Sequence, residues 1–549
     1  MKKSLNFFLK WGPVFVLALG LMIIIIDTTL LNVALAYVIR DLKTDIQSIQ
    51  WVITAYALTL AALTITGGRL GDLWGRKKMF IIGAAIFAIG SFIASISNNV
   101  GTMIIGESII EGIGAALMMP ATLSLLVSTY RGRDRAIAMG VWGGTAGAAS
   151  AIGPILGGYL TTHYNWRWGF RINVFVATIL ILGSLIVKET RDKEEKPTLD
   201  IFGVILSSVG LLSVVFGIIE SSTYGWYKAK EIFTFFGHQL DLGGISVVTP
   251  SILFGIIVLI LFVAWELRIE RLGNTPLVSM RIFKNKQFTS GVAVTALLAL
   301  GQTGMIFALP IFFESVRGLD AYHTGLAFLP TSLTALVVAP LSAAVFSRRI
   351  SAKRLIQAGL LFSTVGMLVI MTSLRVDANT QDFIFGMIIY GAGIGLSMST
   401  LSNLTLSAVS VQEAGEASGV NNTFRQIGSS LGSAIIGAAL LTALAANLNT
   451  GIDSSKVIPD KLKSQISSAV AHQTSNVEFG GGAQISTKLP TAVSQEIVSI
   501  SHQATTDANR RALAFAALFT GIGFLMTFFL PKKADMGHDE SPTKKIISS

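Results

Sequence analysis

The chain has 549 residues, of which 52% are hydrophobic and 13% are charged, whereas an average soluble protein has about 25% charged residues. With a mean hydropathy of +0.65, this composition excludes a soluble enzyme and indicates a protein that crosses a membrane many times. The absence of cysteine excludes disulfides, thiolate metal sites and thiol nucleophiles. The net charge of +11 is spread over separate loops, so no nucleic-acid partner is expected.

Apolar stretches long enough for a membrane helix, which needs about 20 residues, recur along the chain. They predict an all-α polytopic membrane protein, because backbone polar groups in a bilayer must be paired within the segment. The first span has no small-residue cleavage site, so we expect it to be retained rather than removed as a signal peptide. The fourteen predicted spans are 12–38, 49–68, 79–97, 101–127, 136–161, 170–187, 201–221, 249–267, 288–313, 325–346, 355–374, 382–409, 424–446 and 511–530.

The distribution of Lys and Arg predicts the orientation of the chain. If the N-terminus lies inside, the inner segments hold roughly three times as many Lys and Arg as the short outer segments, as expected for cytoplasmic loops. Both termini are therefore predicted to be cytoplasmic. The charged run 188–196 is predicted to be a solvated cytoplasmic linker.

Two longer segments are predicted to lie outside. Segment 222–248 is rich in aromatic residues, which suits the membrane interface. Segment 447–508 is polar, and the helical periodicity of 458–472 and 490–508 predicts a hairpin over the mouth of a pore.

Asp27 is the clearest ionisable residue within a predicted span. It follows an apolar run in the first span, with no Lys or Arg within one helical turn, and such residues are functional candidates by default. Removal from water disfavours a charged carboxylate, so Asp27 is predicted to exchange protons or bind a cation. The alternative is a neutral, hydrogen-bonded structural acid.

The fourth span contains two further acids. Glu107 and Glu111 are four residues apart and share one helical face, so if both are buried, at least one should carry a proton. In the alternative interpretation Glu107 faces external water and only Glu111 lies inside the membrane. Gln302 lies within the ninth span and is a candidate hydrogen-bonding residue for a substrate.

Two glycine-rich patterns also stand out. The loop after the second span contains Gly68, Asp72, Gly75 and Arg76, which predicts a tight turn with Asp72 near the positive end of the third helix. A degenerate copy occupies 347–354. The fifth span contains, in addition to Gly140 and Ala149, the residues Gly153, Pro154, Gly157 and Gly158, which allow bending and close packing against a neighbouring helix.

These patterns resemble those of the major facilitator superfamily, in its drug:proton antiporter branch with fourteen spans. Further resemblance lies in the run from Asp27 to Asn32 (DTTLLN), in Trp166-Arg167-Trp168, and in 415–432, which reads GEASGVNNTFRQIGSSLG. The resemblance implies that the loop after the second span controls conformation and that the fifth-span pattern marks an antiporter, although plain helix packing explains its glycines equally well. Ser108 stands where the family has an arginine, so the usual coupling scheme is in doubt.

The resemblance also implies a division of the chain. Two six-helix bundles, 1–187 and 288–530, would be separated by the linker 188–200 and two inserted helices in 201–287. The second bundle would include the external segment 447–510, and 531–549 would form a cytoplasmic tail. Spans 1, 4, 9 and 12 would line the central cavity.

Neither a metal nor a nucleotide site is expected from the sequence. The six histidines lack the spacing of metal ligands, and the phosphate-binding pattern of an ATPase does not occur. We therefore expect a monomer without cofactors, which is not an enzyme and uses the proton gradient as its energy source. Its expected partners are protons, membrane lipids and small hydrophobic substrates.

The sequence thus predicts a multidrug efflux pump of the bacterial cytoplasmic membrane, with hydrophobic and cationic drugs or toxic compounds as its substrates. Cations are expected because a carboxylate-lined cavity attracts them. One alternative of the same fold is a lipid or lysolipid exporter. A membrane receptor or channel that transports nothing is the alternative of another class.

Overall fold

The computed structural model describes residues 2–44, 46–190, 198–235, 238–240, 242–460, 463 and 490–531. Within these ranges it contains fourteen long helices that match the predicted spans in order, which confirms the predicted fold class. The helices are α1 (Lys2–Leu42), α2 (Ile46–Trp74), α3 (Arg76–Ser95), α4 (Val100–Thr129), α5 (Gly132–His163), α6 (Arg167–Gly183), α7 (Ile201–Tyr224), α8 (Val248–Arg271), α9 (Lys286–Ser315), α10 (Leu329–Ala344), α11 (Ala352–Ser373), α12 (Ile384–Leu406), α13 (Ala414–Ser454) and α14 (Thr491–Met526).

Thirteen of these helices are long and apolar enough to cross a membrane, by length and composition among the described residues. The remaining helix, α5, has 32 residues but is rich in Gly and Ala and carries charges in its first turn. Its surface is therefore suited to contact with other helices more than to contact with lipid.

The helices pack as two groups that contact each other. In the first group α1 packs on α5 and α3 packs on α4, and in the second α9 packs on α13 and α11 packs on α12. The groups meet where α5 contacts α10 and where α2 contacts α13. The helices α7 and α8 pack on each other, and α7 also contacts α2 and α13.

Helix α4 is not regular along its whole length. Its segment Ile104–Glu111 is a π-helix, between α-helical segments Val100–Met103 and Gly112–Thr129. A π-helical segment is rare and is frequently found at functional sites.

A small β-hairpin in segment 222–248 was not predicted. Strands β1 (Phe233–Phe235) and β2 (His238–Leu240) pair antiparallel, and the ring of Phe233 lies against Trp51, Phe216 and Tyr224. Strands of three residues are too short for a clear alternation of apolar and polar positions, so the sequence pattern does not reveal them.

Helices α13 and α14 are longer than predicted. Helix α13 continues to Ser454 and α14 begins at Thr491, and their extensions are joined by a hydrogen bond of 2.9 Å from Ser455 Oγ to Glu496 Oε1. Hydropathy marks only the apolar part of a helix, so the polar extensions were assigned to a separate hairpin. Most of that predicted hairpin, with 191–197 of the predicted linker and 532–549 of the tail, lies outside the described residues.

Candidate functional site

The structure brings Asp27, Glu107 and Glu111 together inside the first group of helices. One carboxylate oxygen of each lies within 4.8 Å of the other two, and the three residues are at most 1% exposed. The interpretation in which Glu107 faces external water therefore does not describe this structure. We call these three residues the acid cluster.

Asn173 of α6 holds the acid cluster from one side. Its Nδ2 donates a hydrogen bond of 2.6 Å to Asp27 Oδ1 and lies 3.3 Å from Glu111 Oε1. The second oxygen of each of the three acids is buried without a hydrogen-bond partner among the described residues. Asn173 was not among the predicted site residues. The one sequence feature that distinguishes it is an amide side chain within an apolar span.

The π-helix explains how both glutamates reach Asp27. A π-helix closes its hydrogen bonds between residues i and i+5, so residues four apart lie more nearly above one another than in an α-helix. Glu107 and Glu111 occupy such positions within Ile104–Glu111. Ser108, which stands where the family has an arginine, donates a hydrogen bond of 2.7 Å to Val52 O of α2 instead.

Three carboxyl groups this close cannot all be ionised without a compensating cation, because like charges at this distance repel strongly. None of the ion pairs among the described residues brings Lys, Arg or His to the acid cluster. The arrangement can therefore hold one or more protons and exchange them. Its oxygen atoms could also act as ligands of a hard metal cation.

The glycines of the fifth-span pattern lie beside the acid cluster. A Cβ atom at Gly153 would collide with Thr29 Oγ1 of α1, and a Cβ atom at Gly157 would lie 3.1 Å from Leu30 Cγ. Because Thr29 and Leu30 follow Asp27 closely, α5 packs directly on the part of α1 that carries this acid.

The opposite face of α5 contacts the second group of helices. A Cβ atom at Gly140 would lie 2.9 Å from Ala339 O of α10, and one at Gly158 would lie 3.1 Å from Tyr322 N. Pro154 lies near Gly325 in the short helix Ala321–Ala327 that precedes α10. Helix α5 is therefore positioned between the acid cluster and the second group.

The loop after α2 forms a second candidate site, which joins the two groups of helices. Arg76 Nη2 lies 2.7 Å from Asp72 Oδ1 and also donates to the carbonyl oxygens of Val411 and Gln412. Gly68 allows the backbone of α2 to approach Gly415 O, where a Cβ atom would collide.

Asp72 caps α13, not α3 as the sequence suggested. Its two oxygens accept hydrogen bonds from the backbone N–H groups of Gly415 at 3.0 Å and Glu416 at 2.8 Å. These residues lie in the first turn of α13, where N–H groups have no partner within the helix and a negative charge is favourable. The contact holds the two groups of helices together on this side of the molecule.

The start of α3 has a different acid as its partner. Glu189 accepts hydrogen bonds from the backbone N–H groups of Lys77 at 3.1 Å and Lys78 at 3.0 Å. Gly75 precedes them with a φ of 113°, which favours glycine. Glu189 belongs to the charged run 188–196, for which the sequence predicts a solvated linker.

Gln302 lies apart from the acid cluster, in a small cavity between the two groups of helices. Trp142 of α5 forms one wall, and the other walls come from α9, α12 and α13. Among the described residues that line this cavity no carboxylate occurs, so the cavity is not carboxylate-lined in this structure. The lining residues are Trp142, Thr295, Leu298, Ala299, Gln302, Met398, Leu401, Ser402, Asn421, Asn422 and Arg425.

Comparisons with known proteins agree with this architecture. The sequence pattern of the Major Facilitator Superfamily matches residues 17–433. The solved structure of the human organic anion transporter MFSD10 superimposes with a TM-score of 0.55 and 11% sequence identity, covering 94% of this chain and 99% of that one. At this level of identity the likeness concerns the fold alone.

Sequence relatives include two bacterial resistance proteins. The puromycin resistance protein of Streptomyces alboniger is 30% identical over 80% of this chain and 83% of its own length. The multidrug efflux pump LfrA of Mycolicibacterium smegmatis is 28% identical over 90% of this chain and 91% of its own length.

Proposed function

We propose, since this chain belongs to the major facilitator superfamily, that it exports hydrophobic drugs or toxic compounds in exchange for protons. The resistance and efflux functions named for its relatives support the direction and the kind of cargo. The observation that carries the proposal is the acid cluster, which has three buried carboxyl groups within 4.8 Å of one another. A transporter that uses the proton gradient needs such a group, and no cofactor is required.

The packing of α5 supports a route by which a proton could change the conformation. Loss of a proton adds a negative charge to the acid cluster, and repulsion between carboxylates would then move α1 relative to α4. Helix α5 contacts α1 through Gly153 and Gly157 and contacts the second group through Gly140 and Gly158. A shift of α1 would therefore be transmitted to the interface between the groups.

The contact of Asp72 and Arg76 with α13 is proposed to stabilise the state that is closed on the cytoplasmic side. Exporters alternate between states in which one group of helices rocks against the other. In this proposal the two groups correspond to six-helix bundles within 1–187 and 288–530, with α7 and α8 inserted between them. The chain would lie in the bacterial cytoplasmic membrane as a monomer, with both termini inside.

The proposal is tested with the purified protein in proteoliposomes that contain a pH-sensitive dye. Addition of a hydrophobic cationic dye should cause proton movement, and an imposed proton gradient should drive dye accumulation that stops when an ionophore collapses the gradient. Dye transport that neither moves protons nor responds to the gradient would contradict proton coupling. A sodium gradient is the matched control, because the acid cluster has ligand atoms that suit a metal cation as well.

A further inference from the structure

A partly buried cation faces the cavity between the two groups of helices. Arg425 of α13 lines the cavity, and its Nη2 contacts Met119 Sδ of α4 at 3.3 Å. None of the ion pairs among the described residues includes Arg425. A thioether sulfur is a weak acceptor, so the charge of this guanidinium is not balanced by its protein neighbours.

The acid cluster is too far away to neutralise this cation. Met119 lies eight residues after Glu111 in the α-helical part of α4, which corresponds to about 12 Å along the helix axis. The acids are buried inside the first group, whereas Arg425 faces the cavity between the groups. The two sites therefore carry opposite charges and are separate in space.

Two amide side chains beside Arg425 carry oxygen atoms without partners. Asn421 and Asn422 line the same cavity and are 2% and 3% exposed. The Oδ1 atom of each is buried without a hydrogen-bond partner among the described residues, while Asn422 Nδ2 donates to Ser418 O at 3.0 Å. A buried acceptor without a partner costs free energy, so these oxygens suit a ligand that also carries a hydrogen-bond donor such as a hydroxyl group.

The remaining walls of the cavity suit an aromatic or aliphatic body. Trp142, Leu298 and Met398 provide apolar surface close to the guanidinium. Ligand sites in proteins commonly combine such apolar walls with a few convergent polar groups. Arg recognises carboxylates and related oxyanions through a planar set of N–H donors.

We propose that Arg425 forms a subsite for an anionic oxygen group, such as a carboxylate, on an apolar exported compound, and that Asn421 and Asn422 accept hydrogen bonds from a donor group elsewhere on that compound. This inference rests on the proposed export function and specifies its substrate class, in contrast to the cationic class expected from the sequence. An anionic ligand offsets the cost of keeping an unpaired guanidinium away from water. Binding of such a ligand would therefore favour closure of the two groups around the cavity.

The test uses two aromatic probes of nearly equal size and different charge. Binding of 9-anthracenecarboxylic acid and of its methyl ester to the purified full-length protein is measured by fluorescence titration. The wild type should bind the acid more tightly than the ester. Arg425→Gln should weaken binding of the acid about ten- to hundred-fold, the range of a charge-assisted hydrogen bond, and leave the ester within about twofold.

Further variants separate the charge from the packing. Arg425→Lys keeps the charge without the planar donors, so it should recover part of the affinity for the acid. The matched control is Arg375→Gln, which changes an exposed arginine away from the cavity and should alter neither affinity. If Arg425→Gln does not yield folded protein, Arg425→Lys should still weaken binding of the acid relative to the wild type more than binding of the ester.

Two results would overturn the inference and leave the proposed function intact. In the first, the wild type binds a cationic anthracene amine more tightly than the acid. In the second, Arg425→Gln loses affinity for the acid and for the ester equally. Failure of the proposed function is recognised separately, because the binding titration needs no proton gradient.

Discussion

The carboxylate of Asp72 accepts a hydrogen bond of 2.8 Å from the backbone N–H of Glu416, which lies 344 positions later in the chain. The bond joins the end of α2 to the first turn of α13, so it exists only when the two groups of helices are close on this side. Asp72 thus acts as a helix cap supplied by the other group.

We expect Asp72→Asn to open this side of the molecule. The amide retains one acceptor but loses the charge that pairs with Arg76 and favours the start of α13, a loss of about 1–3 kcal/mol in a buried setting. The chain has no cysteine, so a thiol reagent would label only a cysteine that is introduced. We place one by Ser418→Cys, at a position that is buried in α13. Its labelling by a maleimide reagent should rise about tenfold in Asp72→Asn, and export should fall.

The control for this experiment is Asp134→Asn, which breaks an exposed ion pair with Lys10. Such pairs contribute little, so labelling at Ser418 should remain at the wild-type rate. Unchanged labelling in Asp72→Asn as well would mean that the cap does not control opening.

The second prediction concerns the acid cluster. Asp27→Asn should abolish net proton-driven export but preserve exchange of labelled for unlabelled substrate, because exchange requires no net proton transfer. Glu107→Gln and Glu111→Gln should both impair coupling, since both glutamates lie within 4.8 Å of Asp27. In the alternative interpretation of the sequence, with Glu107 in external water, Glu107→Gln would have little effect on coupling.

Proton flux per exported dye, measured in the three single variants, checks this assignment. The matched control is Glu496→Gln, because Glu496 lies in the polar extension of α14 and accepts a hydrogen bond from Ser455. Normal proton flux in Asp27→Asn would remove the acid cluster from the mechanism.

The third prediction separates coupling from simple packing in α5. Gly153→Val should impair transport more than Gly157→Ala, because a side chain at Gly153 collides with Thr29 and one at Gly157 meets Leu30 at 3.1 Å. Gly521→Ala is the control, since its nearest neighbour would lie 3.8 Å away. Each variant is assayed for proton leak without substrate and for export.

A selective proton leak in Gly153→Val, with folded protein in the membrane, would favour a coupling role for the contact between α1 and α5. Loss of folded protein in Gly153→Val, with normal coupling in Gly157→Ala, would leave only the packing role.

The fourth prediction concerns pH. Arg167 donates a hydrogen bond to Asp41, and this bond holds the pKa of Asp41 below its ordinary value. A carboxyl group whose pKa is lowered in the folded protein adds to the free energy of unfolding. This contribution is present in full above the ordinary pKa of about 3.9 and is lost as the pH falls through the lowered pKa of the folded state. The contribution is therefore constant across the range in which export is measured.

Arg167→Gln should lower the melting temperature by the same few degrees at about pH 5.5 and about pH 8, as expected for a partly exposed pair. Thermal unfolding of the purified variant at both pH values is the measurement. A destabilisation at one of these values only would mean that another group titrates with Asp41.

Much of the architecture could be predicted because hydropathy reports directly on helices that cross a membrane. Thirteen of the spans follow from apolar length, whereas α5 is less apolar and could be predicted because 136–161 contains no Asp, Glu, Lys or Arg. The polar extensions of α13 and α14 were not predicted, because the hydropathy of a helix falls where the helix leaves the apolar layer of the membrane.

The candidate site was less accessible to sequence reasoning. Asp27, Glu107 and Glu111 could be selected singly because charge is unusual in a span, but their convergence depends on the π-helix in α4, which has no sequence pattern. Asn173 and Arg425 belong to helices whose facing neighbours are distant in sequence. Their roles depend on which helix faces which, and a single sequence does not contain that information.

The π-helix of α4 makes the acid cluster sensitive to chain length. In an α-helix each residue turns the chain by about 100°, so removal of one residue between Glu107 and Glu111 would rotate one glutamate relative to the other by roughly that angle. Ile109 is 44% exposed, and its replacement by another apolar residue changes little. Its deletion would separate the two glutamates, so the spacing of this segment is more constrained than the identity of its outward-facing residues.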